Sequence, residues 1–362
     1  MKKSPLFVVS MALLLLLLTG QWLLPRREFS EMENRVLVHA PEVSVSSLTN
    51  GRWADRFEAF AADQIPLRDA FVSLYMTMEA VTGRRLMDGV LLGQDGRMFD
   101  RTDGYSERNV RLNAAALRGL SEQTGVPAYL LAIPSAAVIY PEAVPNHAPV
   151  ADESALLGAA GEETALLPLI DSLCDLRDSG ELYYHTDHHW SMGGTRVGYQ
   201  TVCQALGLNA LPVDALTKEL PFFGSFYARC PLPWQKPDDF CFADVSGIRL
   251  IADGEEKNGL ADTSQLRKRD RYAALLYGNH GLIELINDSQ NDGTLFVIKD
   301  SFANALLPLL ARHYHRIVAI DPRYYAGNVV EEANNCNCEV ILCVSGLSSL
   351  ASSRNLALLD GL

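Results

Sequence analysis

Four short apolar runs, separated by segments with helical signals, constrain the fold of this chain most strongly. The apolar runs predict strands at 127–133, 295–298, 316–320 and 339–344. Helices are predicted at 107–124, 153–176, 191–206 and 302–313. Buried apolar strands that alternate with helices are typical of a mostly parallel sheet covered on both faces. We therefore predict an α/β fold.

Residues 215–290 interrupt this alternation. They are richer in Pro, Gly and aromatic residues, and they contain strand candidates at 247–251, 272–277 and 282–286. We interpret them as a β-rich insertion that lies over the carboxyl edge of the sheet. Before the α/β region, the sequence predicts two helices within 48–82, broken at Gln64-Ile65-Pro66, and a hairpin over 90–99.

The amino terminus predicts export. Lys2 and Lys3 precede an uncharged run at 6–24, whose 19 residues approach the ~20 that a transmembrane helix needs. No small-x-small cleavage pattern follows the run, so we favour an uncleaved signal-anchor with the rest of the chain outside the cytoplasm. A cleaved signal, and hence a secreted protein, is the alternative. The predicted organisation is a tail at 1–5, the transmembrane helix at 6–24, a linker at 25–50 and one domain at 51–362.

The charge excludes one class of partner. The formal net charge is −13 and the pI is about 5.1, whereas nucleic acid binding needs a basic face. No cofactor motif is present, and Cys336-x-Cys338 lacks the spacing of a zinc knuckle.

Residues 184–191 hold the densest reactive chemistry, with His185, Asp187, His188 and His189 followed by a tryptophan. Metal binding is one interpretation, because imidazole and carboxylate suit zinc or iron. The other is an oriented general base. In an extended segment residues two apart share a face, so Asp187 pairs with His189 and not with His188. A carboxylate in that place sets the imidazole tautomer.

A general base needs a nucleophile, and Ser301 is the candidate. It follows the apolar strand 295–298 and immediately precedes a helix, a place where backbone amides stabilise an oxyanion and where open α/β sheets bind ligands. Ser is also a preferred helix N-cap, which is the structural alternative.

The Asp-His-His-Trp motif together with Lys-Asp-Ser-Phe resembles the bacterial DHHW family. That family is similar to the alginate O-acetylation proteins AlgJ and AlgX, whose domain is SGNH-hydrolase-like. In those relatives the Asp-x-His motif precedes the serine, and this chain has the same order. The segments at 63–68, 92–96, 140–142, 277–280 and 321–325 also resemble the family pattern, so the likeness covers roughly residues 50–350.

The resemblance implies that Ser301 is the nucleophile, His189 the base and Asp187 its orienting carboxylate. It further implies oxyanion donors from the Ser301 amide and from Gly278, Asn279 or Arg323. Aromatic residues near the site, such as Trp190 and Tyr324, suit sugar stacking, although packing explains them equally well.

The implied function is extracytoplasmic O-acetylation of a polysaccharide through an acyl-Ser301 intermediate, without a cofactor. No acetyl-CoA is found outside the cytoplasm, so a membrane-embedded acetyl-donating partner of the MBOAT type is expected. Two alternatives remain open: a carbohydrate acetylesterase with the same residues, and a non-catalytic glycan-binding or scaffold component of an envelope assembly.

Overall fold

The computed structural model describes residues 5–33, 35–213, 220–243, 245–290, 292–359 and 361. These residues divide into two compact units. The smaller unit comprises residues 1–84 and 228–235, and the larger unit comprises residues 85–227 and 236–362.

The smaller unit is mainly helical. Its elements are α1 (Pro5–Leu23), β1 (Phe29–Ser30), β2 (Arg35–Val36), α2 (Val45–Thr49), α3 (Arg52–Asp63) and α4 (Arg68–Val81). The predicted break between the last two helices is confirmed, and Leu67 adopts a left-handed conformation there with φ 61°. The buried Asp63 carboxylate accepts hydrogen bonds from the Arg35 guanidinium and the Val38 amide. Chiefly through the Arg35 bond, the pKa of Asp63 lies below its ordinary value.

The predicted membrane span at 6–24 is not supported. Among the described residues, no helix has both the length and the apolar character needed to cross a bilayer.

Among the described residues, eight strands form the central sheet of the larger unit: β6 (Ala128–Ile133), β7 (Ala165–Leu166), β10 (Ile248–Ala252), β11 (Glu255–Lys257), β12 (Leu282–Asn287), β13 (Thr294–Lys299), β14 (Arg316–Ile320) and β15 (Val340–Gly346). Their order across the sheet is β11-β10-β12-β14-β13-β15-β6-β7. The strands from β14 to β7 are parallel, while β12, β10 and β11 extend the sheet antiparallel. The α/β prediction is therefore confirmed, although the sheet is mixed rather than mostly parallel.

Two small sheets and the remaining helices complete the unit. The strands are β3 (Leu86–Met87), β4 (Val90–Leu92) and β5 (Met98–Asp100), with β8 (Leu220–Phe222) and β9 (Asp238–Phe240). The helices are α5 (Glu107–Thr124), α6 (Ala136–Ile139), α7 (Glu153–Glu163), α8 (Leu169–Leu176), α9 (Met192–Ala205), α10 (Ser225–Arg229, which reaches the unit boundary), α11 (Ala303–Leu310), α12 (Val329–Asn335) and α13 (Leu347–Ser352). The predicted hairpin over 90–99 is confirmed as the antiparallel pair β4–β5.

Apolar side chains of β13 alternate between the two faces of the central sheet. Leu295 and Val297 belong to a core that contains residues of α8, α9 and α11, whereas Phe296 and Ile298 belong to a core with α5, α7, α12 and α13. A strand buried on both faces needs apolar residues at consecutive positions, which is why β13 is a continuous apolar run in the sequence.

The single helix predicted over 153–176 is wrong. The chain leaves α7 at Thr164, which is extended, and forms β7 before α8 begins. The edge strand β7 pairs with β6, and the Leu167 amide donates to the Leu130 carbonyl at 2.8 Å. Tertiary pairing thus overrides a segment with apolar residues at helical spacing.

The insertion predicted over 215–290 is β-rich, and its predicted position over the carboxyl edge of the sheet is confirmed in part. Its strands β10, β11 and β12 join the central sheet edge to edge, whereas Ser225, Asp238 and Tyr272 contact the segment 185–189. The strand predicted over 272–277 is instead a 3-10 helix at Tyr272–Ala274, followed by a left-handed turn. Residues 215–219 lie outside the described ranges.

Candidate active site

Ser301 lies in the turn between β13 and α11, at the carboxyl edge of the central sheet. The preceding residue, Asp300, holds this turn in place. Its carboxylate accepts hydrogen bonds from the amides of Phe302 (3.0 Å) and Gly346 (2.8 Å) and from the Ser349 hydroxyl (2.8 Å). The turn that bears Ser301 is therefore tied to the end of the neighbouring strand β15.

The Asp-His-His-Trp segment forms a bend closed by an antiparallel bridge between Tyr183 and Trp190. The Asp238 carboxylate supports the bend by accepting the amides of His185 at 2.7 Å and Thr186 at 2.8 Å. Because these bonds satisfy backbone groups outside any regular element, the segment keeps a defined shape.

Trp190 anchors the bend to the turn of Ser301. Its side chain is fully buried, and its indole nitrogen donates to the Phe302 carbonyl at 3.1 Å. Gly198 of α9 makes room for the ring, since a Cβ there would lie 2.7 Å from a ring carbon of Trp190, and a Cβ at Gly194 would lie 2.8 Å from Trp190 Cβ. A Trp190 so enclosed has no surface available for stacking on a sugar.

Asp187, His189 and Ser301 come together in a hydrogen-bonded relay. His189 Nδ1 lies 2.6 Å from Asp187 Oδ1, and His189 Nε2 lies 2.8 Å from Ser301 Oγ. The His189 amide also donates to Asp187 Oδ1 at 2.9 Å, while the Ser225 amide donates to Asp187 Oδ2 at 2.7 Å. This geometry matches a nucleophile, a base and an orienting carboxylate.

Two features keep Asp187 ionised and in place. Burial by itself raises its pKa, but the neighbouring imidazoles of His188 and His189 and the hydrogen bonds from His189 and Ser225 outweigh burial and hold the pKa well below the usual range. Gly224 packs against the carboxylate so closely that an added Cβ would lie 2.3 Å from Asp187 Oδ2. A larger residue at Gly224 would push the carboxylate away from His189.

The pairing of Asp187 with His189 agrees with the sequence prediction, but the reason given by strand alternation was wrong. The segment is bent rather than extended, and the rings of His188 and His189 lie side by side with centroids 3.8 Å apart. On its other face, His189 stacks on Tyr272 at 3.7 Å with an interplanar angle of 6°. The two neighbours hold the plane of the imidazole between them.

His188 has a different environment from His189. Its Nδ1 lies 2.7 Å from the Ser225 hydroxyl, and burial followed by the charge of His189 lowers the pKa of His188 to about 4. The ring is therefore neutral in the folded protein at pH values where an unfolded histidine is already protonated.

We predict that this histidine makes the fold sensitive to acid. Because the folded pKa is about 4 and the unfolded value is 6.5, stability is full above pH 6.5 and is lost as the pH falls towards 4. With the side chain 34% exposed, we expect a loss of about 1 to 2 kcal/mol between pH 7 and pH 4.5. Denaturant unfolding of wild type and His188→Gln at both pH values measures it. Equal losses in the two proteins would contradict the assignment to His188.

Asp187, His188 and His189 are also the described residues whose donor atoms lie close enough together to hold a metal ion, within 4.8 Å of one another. His185 is not part of this group, and its Nε2 lies 3.3 Å from a Glu181 carboxylate oxygen. Both ring nitrogens of His189 are already hydrogen-bonded, so a metal would have to displace Asp187 or Ser301. The arrangement thus fits proton transfer better than metal ligation.

The oxyanion candidates differ in how available their donors are. The Ser301 amide has no hydrogen-bond partner among the described residues. The Gly278 amide is occupied, since it donates to the Leu275 carbonyl at 3.0 Å. The side chain of Arg323 forms two hydrogen bonds with Asp321, at 2.8 and 2.6 Å. Asn279 is exposed, and its Oδ1 lies 3.4 Å from Asn304 Nδ2.

The remaining candidate, Tyr324, is 57% exposed, and the Arg323 guanidinium lies 5.4 Å from its ring centre. A small cleft of about 20 Å³ opens beside His188. Its lining includes the loop after β6 and consists of Phe99, Asp100, Tyr105, Ile133, Pro134, Ser135, Ala136, Ala137, His188, Phe226, Phe302 and Ser348.

Sequence reasoning missed the residues that support Asp187 and His189, namely Gly224, Ser225, Asp238 and Tyr272. The first two stand in an aromatic-rich stretch, Phe222 to Tyr227, where a Gly-Ser pair signals a close approach of the backbone. No local signal distinguishes Asp238 or Tyr272, because their contacts are with residues far away in the chain.

Two family profiles match this chain. Residues 169–320 match the family described as DHHW protein, and residues 90–220 match the SGNH hydrolase-like domain of the acetyltransferase AlgX. The probable alginate O-acetylase AlgJ of Pseudomonas aeruginosa is 30% identical over 173 residues, which are 44% of this chain and 43% of that protein. AlgJ of Pseudomonas syringae pv. tomato is 23% identical over 283 residues, 69% of this chain and 70% of that protein. The match thus spans less than half the length of the first relative.

Solved structures share the fold. A DHHW family protein from Eubacterium siraeum has a TM-score of 0.61 at 17% identity, covering 75% of this chain and 94% of its own. PatB1 of Bacillus cereus has a TM-score of 0.62 at 18% identity, covering 74% and 98%. This chain is therefore similar to the DHHW family over residues 169–320, to the SGNH hydrolase-like domain of the acetyltransferase AlgX over residues 90–220, and to the probable alginate O-acetylase AlgJ.

Proposed function

We propose that this chain is an O-acetyltransferase that modifies a polysaccharide through an acetyl ester on Ser301. The observation that carries the proposal is the relay from Asp187 through His189 to Ser301, with distances of 2.6 and 2.8 Å. The similarity to two probable alginate O-acetylases supports the choice of acetyl group and polysaccharide.

The first half of the reaction acetylates the enzyme. His189 Nε2 removes the proton of Ser301 as Ser301 Oγ attacks the carbonyl carbon of an acetyl donor. The ionised Asp187 stabilises the imidazolium that forms. The Ser301 amide and the side-chain amide of Asn279 are the proposed donors to the oxyanion. Collapse of the intermediate transfers the proton from His189 to the leaving group and leaves acetyl-Ser301.

The second half transfers the acetyl group to a sugar hydroxyl. His189 takes the hydroxyl proton as the oxygen attacks the ester carbonyl, and it returns the proton to Ser301 Oγ when the ester bond breaks. The cleft beside His188 and the exposed Tyr324 are the proposed contacts for the acyl group and the sugar. The proposed site of action is extracytoplasmic, and the proposed source of acetyl groups is a membrane-embedded partner protein.

Mass spectrometry tests this proposal directly. The protein is incubated with a small acetyl ester, quenched in acid and digested, and the acetyl group is expected on the peptide that contains Ser301. Denatured protein treated in the same way controls for chemical acetylation of lysines. Loss of the adduct to an added oligosaccharide, with acetyl appearing on the sugar, supports a transferase, and release as acetate alone would indicate an esterase. An adduct found only elsewhere would refute acetyl-Ser301.

A further inference from the structure

A buried lysine lies two residues before Ser301, at the end of β13. The side chain of Lys299 has no exposure to solvent, and its Nζ donates to Asn304 Oδ1 at 2.8 Å. The nearest carboxylate oxygen, on Asp321, is 4.0 Å away and belongs to a group already paired with Arg323. Because burying a charged amine is unfavourable, a lysine retained here calls for a role other than packing.

The lysine determines which way the Asn304 amide faces. An ammonium group only donates hydrogen bonds, so the Asn304 oxygen must point towards Lys299. The Asn304 NH₂ group then points the other way, where it lies 3.3 Å from the Gly278 carbonyl and 3.4 Å from Asn279 Oδ1. The Asn279 oxygen accepts from Asn304, which leaves the Asn279 NH₂ group as the free donor of that side chain.

The loop that carries Asn279 needs such support. Three successive residues, Leu276, Tyr277 and Gly278, have positive φ values of 51°, 63° and 93°. Left-handed geometry is unfavourable for the two residues that have a Cβ. Asn304 belongs to α11, the helix that follows Ser301, and its backbone amide donates to the Ser301 backbone carbonyl at 3.1 Å. It therefore connects the loop to the turn that bears the nucleophile.

We propose that Lys299 and Asn304 are positioning residues, which turn the Asn279 side-chain amide so that its NH₂ group donates to the oxyanion formed at Ser301. The inference rests on the proposed acetyl transfer and adds a hydrogen-bond chain, from Lys299 through Asn304 to Asn279, that sets the polarity of one oxyanion donor.

The substitution Asn304→Asp tests the polarity. A carboxylate keeps the size of the side chain and the bond from Lys299, but it has no hydrogen to donate to Asn279. In the Asn304→Asp variant, Asn279 is then expected to turn its NH₂ group towards the new carboxylate and its oxygen towards the oxyanion. Loss of one oxyanion donor lowers rates by a factor of roughly 10² to 10³. We expect that loss in kcat for a small acetyl ester, with KM nearly unchanged.

Three further variants make the result interpretable. Lys299→Met releases Asn304 to adopt both orientations and is expected to lower kcat by about tenfold, which gives a second test if Asn304→Asp does not fold. Asn287→Asp makes the same chemical change at a buried asparagine that contacts Ala311, and it should leave kcat within about threefold. In the double variant Asn279→Ala/Asn304→Asp, kcat should equal that of Asn279→Ala, because Asn304 acts through Asn279.

The outcomes separate this inference from the function on which it rests. If wild type forms acetyl-Ser301 and Asn304→Asp does so at an equal rate, or if the two losses multiply in the double variant, the positioning role is overturned while the acetyl-enzyme stands. If wild type forms no acetyl-Ser301, the proposed function is refuted and the positioning role with it.

Discussion

Replacement of Ser301 by alanine should lower the rate of acetyl transfer by a factor on the order of 10⁴ to 10⁶. The alanine has no oxygen to form the ester, while His189 keeps Asp187 as its partner on the opposite side of the ring. Remaining turnover would come from a water molecule activated by His189. Release of a chromogenic alcohol from its acetyl ester measures the rate under conditions that detect a single turnover.

Ser225→Ala provides the matched control. Ser225 holds Asp187 through its backbone amide, which the substitution keeps, and its hydroxyl contacts His188 rather than His189. We expect a change of less than about tenfold in this variant. If Ser301→Ala and Ser225→Ala had similar activities, Ser301 would not be the nucleophile.

Asp187→Asn should lower the same rate by a factor on the order of 10⁴. The amide has nearly the size of the carboxylate, but it has no charge to stabilise the imidazolium that forms on His189. In either orientation its NH₂ group also faces a backbone N–H, that of Ser225 or that of His189, and when it faces His189 it places the imidazole proton on Nε2, where His189 cannot accept the proton of Ser301. The loss should persist at every pH, because the pKa of Asp187 lies far below the working range and its charge is always present in wild type.

Asp238→Asn separates this electronic effect from damage to the bend. Asp238 also has a carboxylate that supports residues 185–190, but it is half-buried and accepts from the amides of His185 and Thr186 and the Thr186 hydroxyl, and not from His189. Burial, the main influence on it, raises its pKa. We expect thermal stability to fall while the rate changes by less than about tenfold. A loss near 10⁴ in Asp238→Asn would mean that the bend, and not the charge of Asp187, limits the reaction.

The fold was largely predictable because its strands are buried on both faces. Continuous apolar runs identify β6, β13, β14 and β15, and caps such as Ser191 identify the helix that follows. The prediction failed at β7 and at the 3-10 helix that contains Tyr272. Both segments are short and apolar, and their conformation depends on partners distant in sequence rather than on local periodicity.

The chemistry of the site was visible in the sequence, but its geometry was not. A carboxylate, two imidazoles and a serine at a strand-helix junction are residue types that local motifs reveal. Strand alternation predicted His189 correctly, but the extended backbone that it assumes is wrong, since the bend brings the two imidazole rings together. What selects His189 is the position of Ser301 Oγ beside its Nε2, which depends on how α9 and α11, the helices that follow the two segments, pack against each other.

By itself, the sequence determined the α/β alternation, the Asp187 and His189 motif and the serine after an apolar strand, because each is a local pattern of burial or reactivity. Only the tertiary structure decided the antiparallel extension of the sheet, the close approach of Gly224 to Asp187 and the stacking of Tyr272 on His189. The same is true of the hydrogen bonds that connect Lys299 through Asn304 to Asn279. These depend on distances between residues far apart in the chain, which hydrophobic periodicity and local motifs do not encode.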